Sequence, residues 1–144
     1  MSLIEWTDKL SVGVEAIDAD HRKLVTLLNR LHRMAREEAD TGLMAEVLDE
    51  LIRYTQYHFQ AEEQLMRLAR YPDYEAHKAR HEELKEEVTR LRADFERKPE
   101  IVHGHRMFTF LSDWLMRHIL REDMQYAPYL QERLNRKEKA GGTE

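Results

Sequence analysis

Apolar residues recur at helical spacing along four long stretches of the chain, with polar residues between them. The pattern predicts helices over about residues 18–39, 43–68, 74–97 and 100–121. A shorter helix is predicted over about residues 124–136. Residues 1–17 lack a sustained helical period, so we expect an extended arm that ends near Ile17 and Asp18.

Short polar or proline-containing segments connect these stretches, at residues 40–42, 71–73 and 98–99. Helices joined by short connections pack as antiparallel neighbours. The sequence therefore predicts an all-α, up-down-up-down four-helix bundle with an N-terminal arm and a short C-terminal helix. We expect one domain over residues 1–137 and a disordered polar tail over residues 138–144.

Composition narrows the class of protein. Of the 144 residues, 42% are hydrophobic and 35% charged, and the net charge of -5 gives no indication of a nucleic-acid partner. No apolar run is long enough to span a membrane, and the N-terminus lacks the pattern of a secretory signal, so we expect a cytoplasmic protein. Cysteine is absent, which excludes disulfides and thiolate metal sites. Any metal must be held by imidazole and carboxylate groups.

Five of the eight histidines fall on predicted apolar faces and at one end of the predicted bundle. His21 lies at the start of the first helix, and His58 in the later part of the second. His77 and His81 lie at the start of the third, and His118 at the end of the fourth. In an antiparallel bundle the starts of helices one and three meet the ends of helices two and four. We therefore expect these five side chains in one buried layer.

Five buried imidazoles without partners would be costly, because each unpaired ring nitrogen costs about 1–3 kcal/mol. A metal removes that cost. Five imidazoles and nearby carboxylates exceed what one tetrahedral zinc accepts, so two six-coordinate ions are predicted. This donor set suits iron, although manganese, zinc or cobalt could occupy it. His32, His103 and His105 lie about 16 Å or more along their helices from the layer, and we expect ordinary packing or surface roles for them.

Carboxylates near these histidines are the other candidate ligands. Glu62 lies one helical turn after His58. After His118, a straight helix places Glu122 alongside it, whereas Asp123 points about 140° away. Asp123 can face the layer only if the helix ends or distorts, which Pro128 and the change of pattern after residue 121 permit. Helix geometry alone leaves Glu122 and Asp123 as alternatives.

Several ordered motifs relate the chain to a known family. They are the arm segment 6–14, Ile17-Asp18 ahead of His21, His58-x3-Glu62, His77-x3-His81 and His118-x4-Asp123. Over nearly its whole length the chain resembles the hemerythrins, and specifically the single-domain bacteriohemerythrins. The resemblance favours Asp123 as the last ligand and leaves Glu122 as a solvated or outer carboxylate. It also implies that Glu62 and Asp123 bridge two metal ions.

The resemblance implies a non-haem di-iron centre. One iron would be held by His77, His81 and His118, and the other by His21 and His58. The two carboxylates would bridge the irons together with a solvent-derived oxo or hydroxo group. The two-histidine iron would keep an open position for O2. Family members commonly have Gln before the first ligand, whereas this chain has Asp20, so we expect different hydrogen bonding around His21.

These features favour a binding protein over an enzyme. We expect reversible O2 binding in a monomeric carrier, store or supplier that serves an oxygen-consuming enzyme. An oxygen or redox sensor acting through a separate signalling partner is the second reading. A di-iron oxidase, peroxidase or nitric-oxide scavenger is the third, but no substrate site stands out in the sequence. A structural zinc bundle would need neither seven ligands nor an open position.

Overall fold

The chain folds into helices, and no strand is present in the parts that the structure describes. This computed structural model describes residues 4–37, 40–98 and 105–142, without the side chains of 105–108 and 134–142. The helices are α1 (Glu15–Arg36), α2 (Thr41–Leu68), α3 (Tyr74–Arg97), α4 (His105–Arg117) and α5 (Met124–Gly142). A π-helical segment, His118–Asp123, joins α4 to α5, and a short 3-10 helix, Asp8–Leu10, lies in the arm.

The four long helices form the predicted bundle. Among α1 to α4, α1 packs against α2 and α4, and α3 packs against α2 and α4, so each has two neighbours in the bundle. α5 packs against α2. The all-α four-helix fold predicted from the apolar periodicity is confirmed. None of the helices within the described ranges has the length and apolar character needed to cross a bilayer.

The connection between α2 and α3 is formed by a compact helix end. Arg70 has a positive φ of 56°, the left-handed conformation that often follows the last residue of a helix. Its N–H donates to the carbonyl of Arg67 at 3.1 Å, and the N–H of Tyr71 donates to that of Met66 at 3.0 Å. These two bonds are those of a Schellman motif. The chain then reverses, and α3 begins at the predicted Tyr74.

The N-terminal arm is more structured than the sequence predicted. α1 begins at Glu15, ahead of the expected start at Asp18. The buried carboxylate of Asp18 accepts bonds from Ser11 Oγ at 2.5 Å and from the Val12 N–H at 2.9 Å, which folds the arm back onto the helix. Gly13 turns the chain between them with a φ of 76°, a conformation that favours glycine.

The C-terminal end of the fourth helix differs from the prediction. We expected it to end near Arg121 and a separate short helix to run to Arg136. The helical backbone instead continues from α4 through the π-helical segment into α5, which ends at Gly142. The change of apolar pattern after Arg121 is therefore absorbed by altered helical geometry and not by a break. Residues 99–104, where this helix was predicted to begin, lie outside the described residues.

Two apolar clusters fill the bundle, one on each side of the histidine layer. The larger cluster includes Leu24, Leu28, Leu48, Leu51, Phe59, Leu84, Trp114, Leu115 and Ile119. The smaller cluster includes Val12, Val14, Ile17, Met66, Tyr71, Tyr126, Ala127 and Leu130. Along each helix the predicted ligands lie between residues of the two clusters. The polar layer is thus held in place from both sides by packed side chains.

Candidate metal centre

The seven predicted ligand residues meet in a single buried cluster. Their relative exposures are all 6% or less, and the members are His21, His58, Glu62, His77, His81, His118 and Asp123. Their potential ligand atoms form two groups. The three-histidine group is Glu62, His77, His81, His118 and Asp123, and the two-histidine group is His21, His58, Glu62 and Asp123. Within each group the ligand atoms lie within 4.8 Å of one another.

The three-histidine group joins α3 to the π-helical segment. Nε2 of His77 lies 3.1 Å from Oδ1 of Asp123, and Nε2 of His118 lies 3.0 Å from the same oxygen. Nε2 of His81 lies 3.3 Å from Oε2 of Glu62 and 3.1 Å from Nε2 of His118. Three imidazole nitrogens and two carboxylates therefore converge on one small volume.

The histidines of the two-histidine group lie on α1 and α2. Nε2 of His21 is 3.3 Å from Oε1 of Glu62 and 3.1 Å from Oδ2 of Asp123. Nε2 of His58 contacts the same Oε1 of Glu62. Each carboxylate thus turns one oxygen toward each group. Glu62 presents Oε1 to the two-histidine group and Oε2 to the three-histidine group, and Asp123 presents Oδ2 and Oδ1 in the same way.

The π-helical segment turns Asp123, and not Glu122, toward the histidine cluster. Hydrogen bonds between residues five apart replace those of an α-helix in such a segment, so residue 123 returns to the face of residue 118. Asp123 is fully buried in the cluster, whereas Glu122 lies on its outer side. Glu122 contacts Nδ1 of His118 at 2.9 Å and accepts a bond from Nε of Arg80 at 2.9 Å.

Three carboxylates hold the outer nitrogens of the histidine rings. Nδ1 of His58 lies 2.9 Å from Asp20, and Nδ1 of His81 lies 2.9 Å from Glu63. Glu122 does the same for His118. Because an ionised carboxylate only accepts hydrogen bonds, each Nδ1 donates, and Nε2 faces the cluster. Such contacts fix the ring orientation of metal-binding histidines and raise their basicity.

Sequence reasoning did not identify two members of this outer layer, Glu63 and Tyr54. Tyr54 lies one helical turn before His58, and its hydroxyl donates to Oδ1 of Asp20 at 2.8 Å. Asp20 was expected to alter the hydrogen bonding around its neighbour His21, and the structure places it on His58 instead. The turn spacing between Tyr54 and His58 was the only sequence signal for this contact. Glu63 carried none, since its partner lies on another helix.

Imidazoles and carboxylates in the cluster shift one another's pKa. Burial lowers the pKa of His58, but Glu62 and Asp20 outweigh it and raise that pKa to about 9. Burial also lowers the pKa of His77, but the contacts with Asp123 and Glu62 outweigh this effect and raise that pKa to about 9. Burial raises the pKa of Glu62, yet the facing histidines hold it well below its usual range. In the metal-free protein, protons therefore supply the positive charge that this anionic pair requires.

Several buried atoms at the centre lie close to one another but form no hydrogen bond of regular geometry within the described part of the chain. They are Nε2 of His58 and His77, Oε2 of Glu62, and both carboxylate oxygens of Asp123. Unpaired buried polar atoms cost about 1–3 kcal/mol each. Imidazole nitrogen and carboxylate oxygen are also the donors that divalent first-row metals accept. The residues present therefore fit a pair of metal cations.

Aromatic side chains close the larger-cluster side of the centre. Phe59 stacks on the His81 ring with centroids 3.9 Å apart and an interplanar angle of 5°. It also meets the His118 ring edge-on at 5.4 Å. Trp114 packs beside Phe59 and donates its indole N–H to the carbonyl of Leu84 at 3.1 Å. These contacts fix the rings and keep water from that side.

The other histidines do not join the cluster where they can be followed. His32 is buried in α1 and belongs to neither ligand group. His103 and the side chain of His105 lie outside the described residues.

Comparison with known proteins agrees with this geometry. The hemerythrin HHE cation-binding domain matches residues 12–130. The chain belongs to the hemerythrin family. A bacteriohemerythrin of Stenotrophomonas maltophilia is 37% identical to this hemerythrin-family chain over 99% of its length and 93% of the relative's. A second, of Methylococcus capsulatus, is 34% identical over 90% of this chain and 98% of the relative.

Solved structures confirm the fold of this hemerythrin-family protein. A crystal structure of wild-type hemerythrin superposes with a TM-score of 0.79 at 30% sequence identity. The superposition covers 90% of this chain and 98% of the other. The family assignment made from the histidine motifs is therefore confirmed. The centre is a buried His/Glu/Asp cluster in a cation-binding fold.

Proposed function

We propose that this protein binds O2 reversibly at a di-iron centre held by the seven clustered residues. The orientation of the two carboxylates is the observation that carries the proposal. Glu62 and Asp123 each turn one oxygen toward each histidine group. That arrangement is what two bridged metal ions need. It is supported by the family, whose name in the relatives above denotes an oxygen-binding protein.

The two groups differ by one histidine, and this difference supports an open position. His77, His81 and His118 would hold one ion through three nitrogens, whereas His21 and His58 would hold the other through two. With both carboxylates shared, the second ion would have one protein ligand fewer. We propose iron as the metal, since mixed imidazole and carboxylate ligands suit it. When bound, the iron pair supplies the electrons for reversible oxygen binding.

The chain itself contributes orientation and the exclusion of water. Asp20, Glu63 and Glu122 hold the outer ring nitrogens, so the inner nitrogens are aligned before a metal arrives. Apolar residues on both sides keep the centre dry, with Ile17, Leu24, Met66 and Ile119 each 1% exposed or less. A dry site limits proton leakage and loss of the bound ligand by side reactions.

Reversibility is the property to test. The iron-loaded protein is reduced without oxygen, O2 is added, and the visible spectrum is followed through repeated cycles of degassing. Reversible binding predicts a band that appears with O2 and disappears on degassing over many cycles. A rapid one-way conversion to the oxidised form would instead indicate an oxidase, a peroxidase or a scavenger.

The ligand assignment needs its own test. His77→Ala removes one nitrogen of the three-histidine group, so the iron content should fall from two per chain to about one. His32→Ala is the matched control, because it alters a buried histidine outside both groups. If His77→Ala still bound two irons, the assignment would be wrong.

A further inference from the structure

A chain of hydrogen bonds leads from the side of the bundle to the two-histidine group. The hydroxyl of Tyr54 donates to Oδ1 of Asp20 at 2.8 Å, and Oδ2 of Asp20 lies 2.9 Å from Nδ1 of His58. The side chain of Asp20 is 16% exposed, while that of His58 is 1% exposed. Because Asp20 can only accept, both bonds point toward it.

This series of hydrogen bonds distinguishes the two sides of the centre. The three-histidine group has two outer carboxylates, Glu63 on His81 and Glu122 on His118. In the two-histidine group, Nδ1 of His21 has no hydrogen-bond partner among the residues that the structure describes. Asp20 is therefore the outer carboxylate through which that group is influenced.

A further donor moderates the charge of two of the three outer carboxylates, Glu122 and Asp20. Arg80 donates to Glu122 at 2.9 Å, and so draws part of its charge away from His118. Tyr54 likewise donates a hydrogen bond to Asp20, but from a neutral hydroxyl and not from a charged guanidinium. A neutral donor leaves more of the negative charge on the carboxylate than a cation does.

We propose that Tyr54 and Asp20 set the reduction potential of the two-histidine side of the centre. This rests on the proposed metal pair. Negative charge on Asp20 makes His58 a more basic ligand, which stabilises the oxidised and more positive state of the metal it holds. The Tyr54 hydroxyl withdraws part of that charge and so favours the reduced state. Both are positioning residues that act through His58.

The two residues consequently have opposite effects, which a purely structural role would not produce. Asp20→Asn retains a group that can accept from Nδ1 of His58 but removes the charge, so the midpoint potential rises. Tyr54→Phe leaves the charge undivided, so the midpoint potential falls. A loss of packing or stability would move both variants in the same direction.

The experiment compares four iron-loaded proteins of equal iron content by spectroelectrochemical titration. They are the parent chain, Asp20→Asn, Tyr54→Phe and the control Tyr57→Phe. Tyr57 is on the same helix and is 60% exposed. We expect the ratio of oxidised to reduced protein at a fixed potential to change about tenfold, or 59 mV for one electron, in opposite directions for the first two variants. The control should match the parent.

A second readout does not depend on oxygen or on iron. In the zinc-loaded protein, the proton on Nδ1 of His58 should shift upfield in Asp20→Asn and downfield in Tyr54→Phe. Failure of reversible oxygen binding would overturn the proposed function but leave these opposite shifts intact. Equal or same-direction shifts would overturn this inference. If Asp20→Asn does not load metal, Tyr54→Phe decides, and an unchanged or raised potential refutes the inference.

Discussion

The imidazole of His118 is held between two consecutive carboxylates, one on each of its nitrogens. Nε2 lies 3.0 Å from Oδ1 of Asp123, and Nδ1 lies 2.9 Å from Oε2 of Glu122. In a straight α-helix Asp123 would point about 140° away from His118. The π-helical backbone between them brings Asp123 inward and leaves Glu122 outside.

This relationship predicts unequal effects for two neighbouring substitutions. Asp123→Asn removes half of the bridging charge, so the metal content should fall from two ions per chain to one or fewer. Glu122→Gln weakens the contact with the outer nitrogen of His118 and leaves the inner cluster unchanged, so both ions should remain, with an affinity lower by about 10–100-fold. Metal analysis after gel filtration measures the content. Retention by Asp123→Asn together with loss in Glu122→Gln would contradict the geometry.

The metal-free protein should lose stability as the pH rises. The pKa values of His58 and His77 are about 9 in the folded chain, above the ordinary value of about 6.5. A histidine whose pKa is raised by folding stabilises the folded state fully at pH values below its pKa in the unfolded chain. This contribution is lost as the pH rises toward the folded pKa of about 9. The free energy of unfolding should therefore fall between about pH 6.5 and 9.

Urea titrations at several pH values measure this effect. The metal-loaded protein is the control, because bound ions keep the histidines deprotonated and should remove the decline. A urea midpoint of the metal-free protein that rises over this pH range would refute the prediction.

Glu63 should strengthen metal binding without touching the metal. Its carboxylate lies 2.9 Å from Nδ1 of His81, and Glu63→Gln weakens that contact by removing the charge. We expect the affinity for the metal to fall by about 10–100-fold. Competition with a chelator measures it. Glu82→Gln is the control, since Glu82 pairs with Lys85 at the surface and is 57% exposed; an equal loss in both variants would exclude a specific role for Glu63.

Asp18 should contribute to stability through the N-terminal arm. Asp18→Ala leaves the Val12 N–H without its acceptor and frees the Ser11 hydroxyl, which should lower the free energy of unfolding by about 1–3 kcal/mol. Glu15→Ala breaks only a surface pair with Arg22 and should cost less than about 1 kcal/mol. Urea denaturation of the two variants provides the measurement. Equal effects would mean that the arm is not held by Asp18.

Contacts between helices explain most of what sequence reasoning missed. Spacing on one helix predicted the pairing of His58 with Glu62 and the bounds of α3, because neighbours on a helix are fixed by local geometry. It could not predict that Asp20 contacts His58 and not its neighbour His21, since that contact crosses from α1 to α2. Glu63 and His81 likewise meet only through the packing of α2 against α3.

The sequence by itself determined the helices, the end of the bundle at which the histidines meet, and the likeness to the hemerythrin family. Periodicity and short connections are local properties, and they leave few ways to arrange four helices. Only the tertiary structure decided how Asp123, the last proposed ligand, faces the centre. π-helical segments are rare outside functional sites, and here the segment turns Asp123 toward His21 and His77 on other helices, contacts that no local sequence pattern specifies.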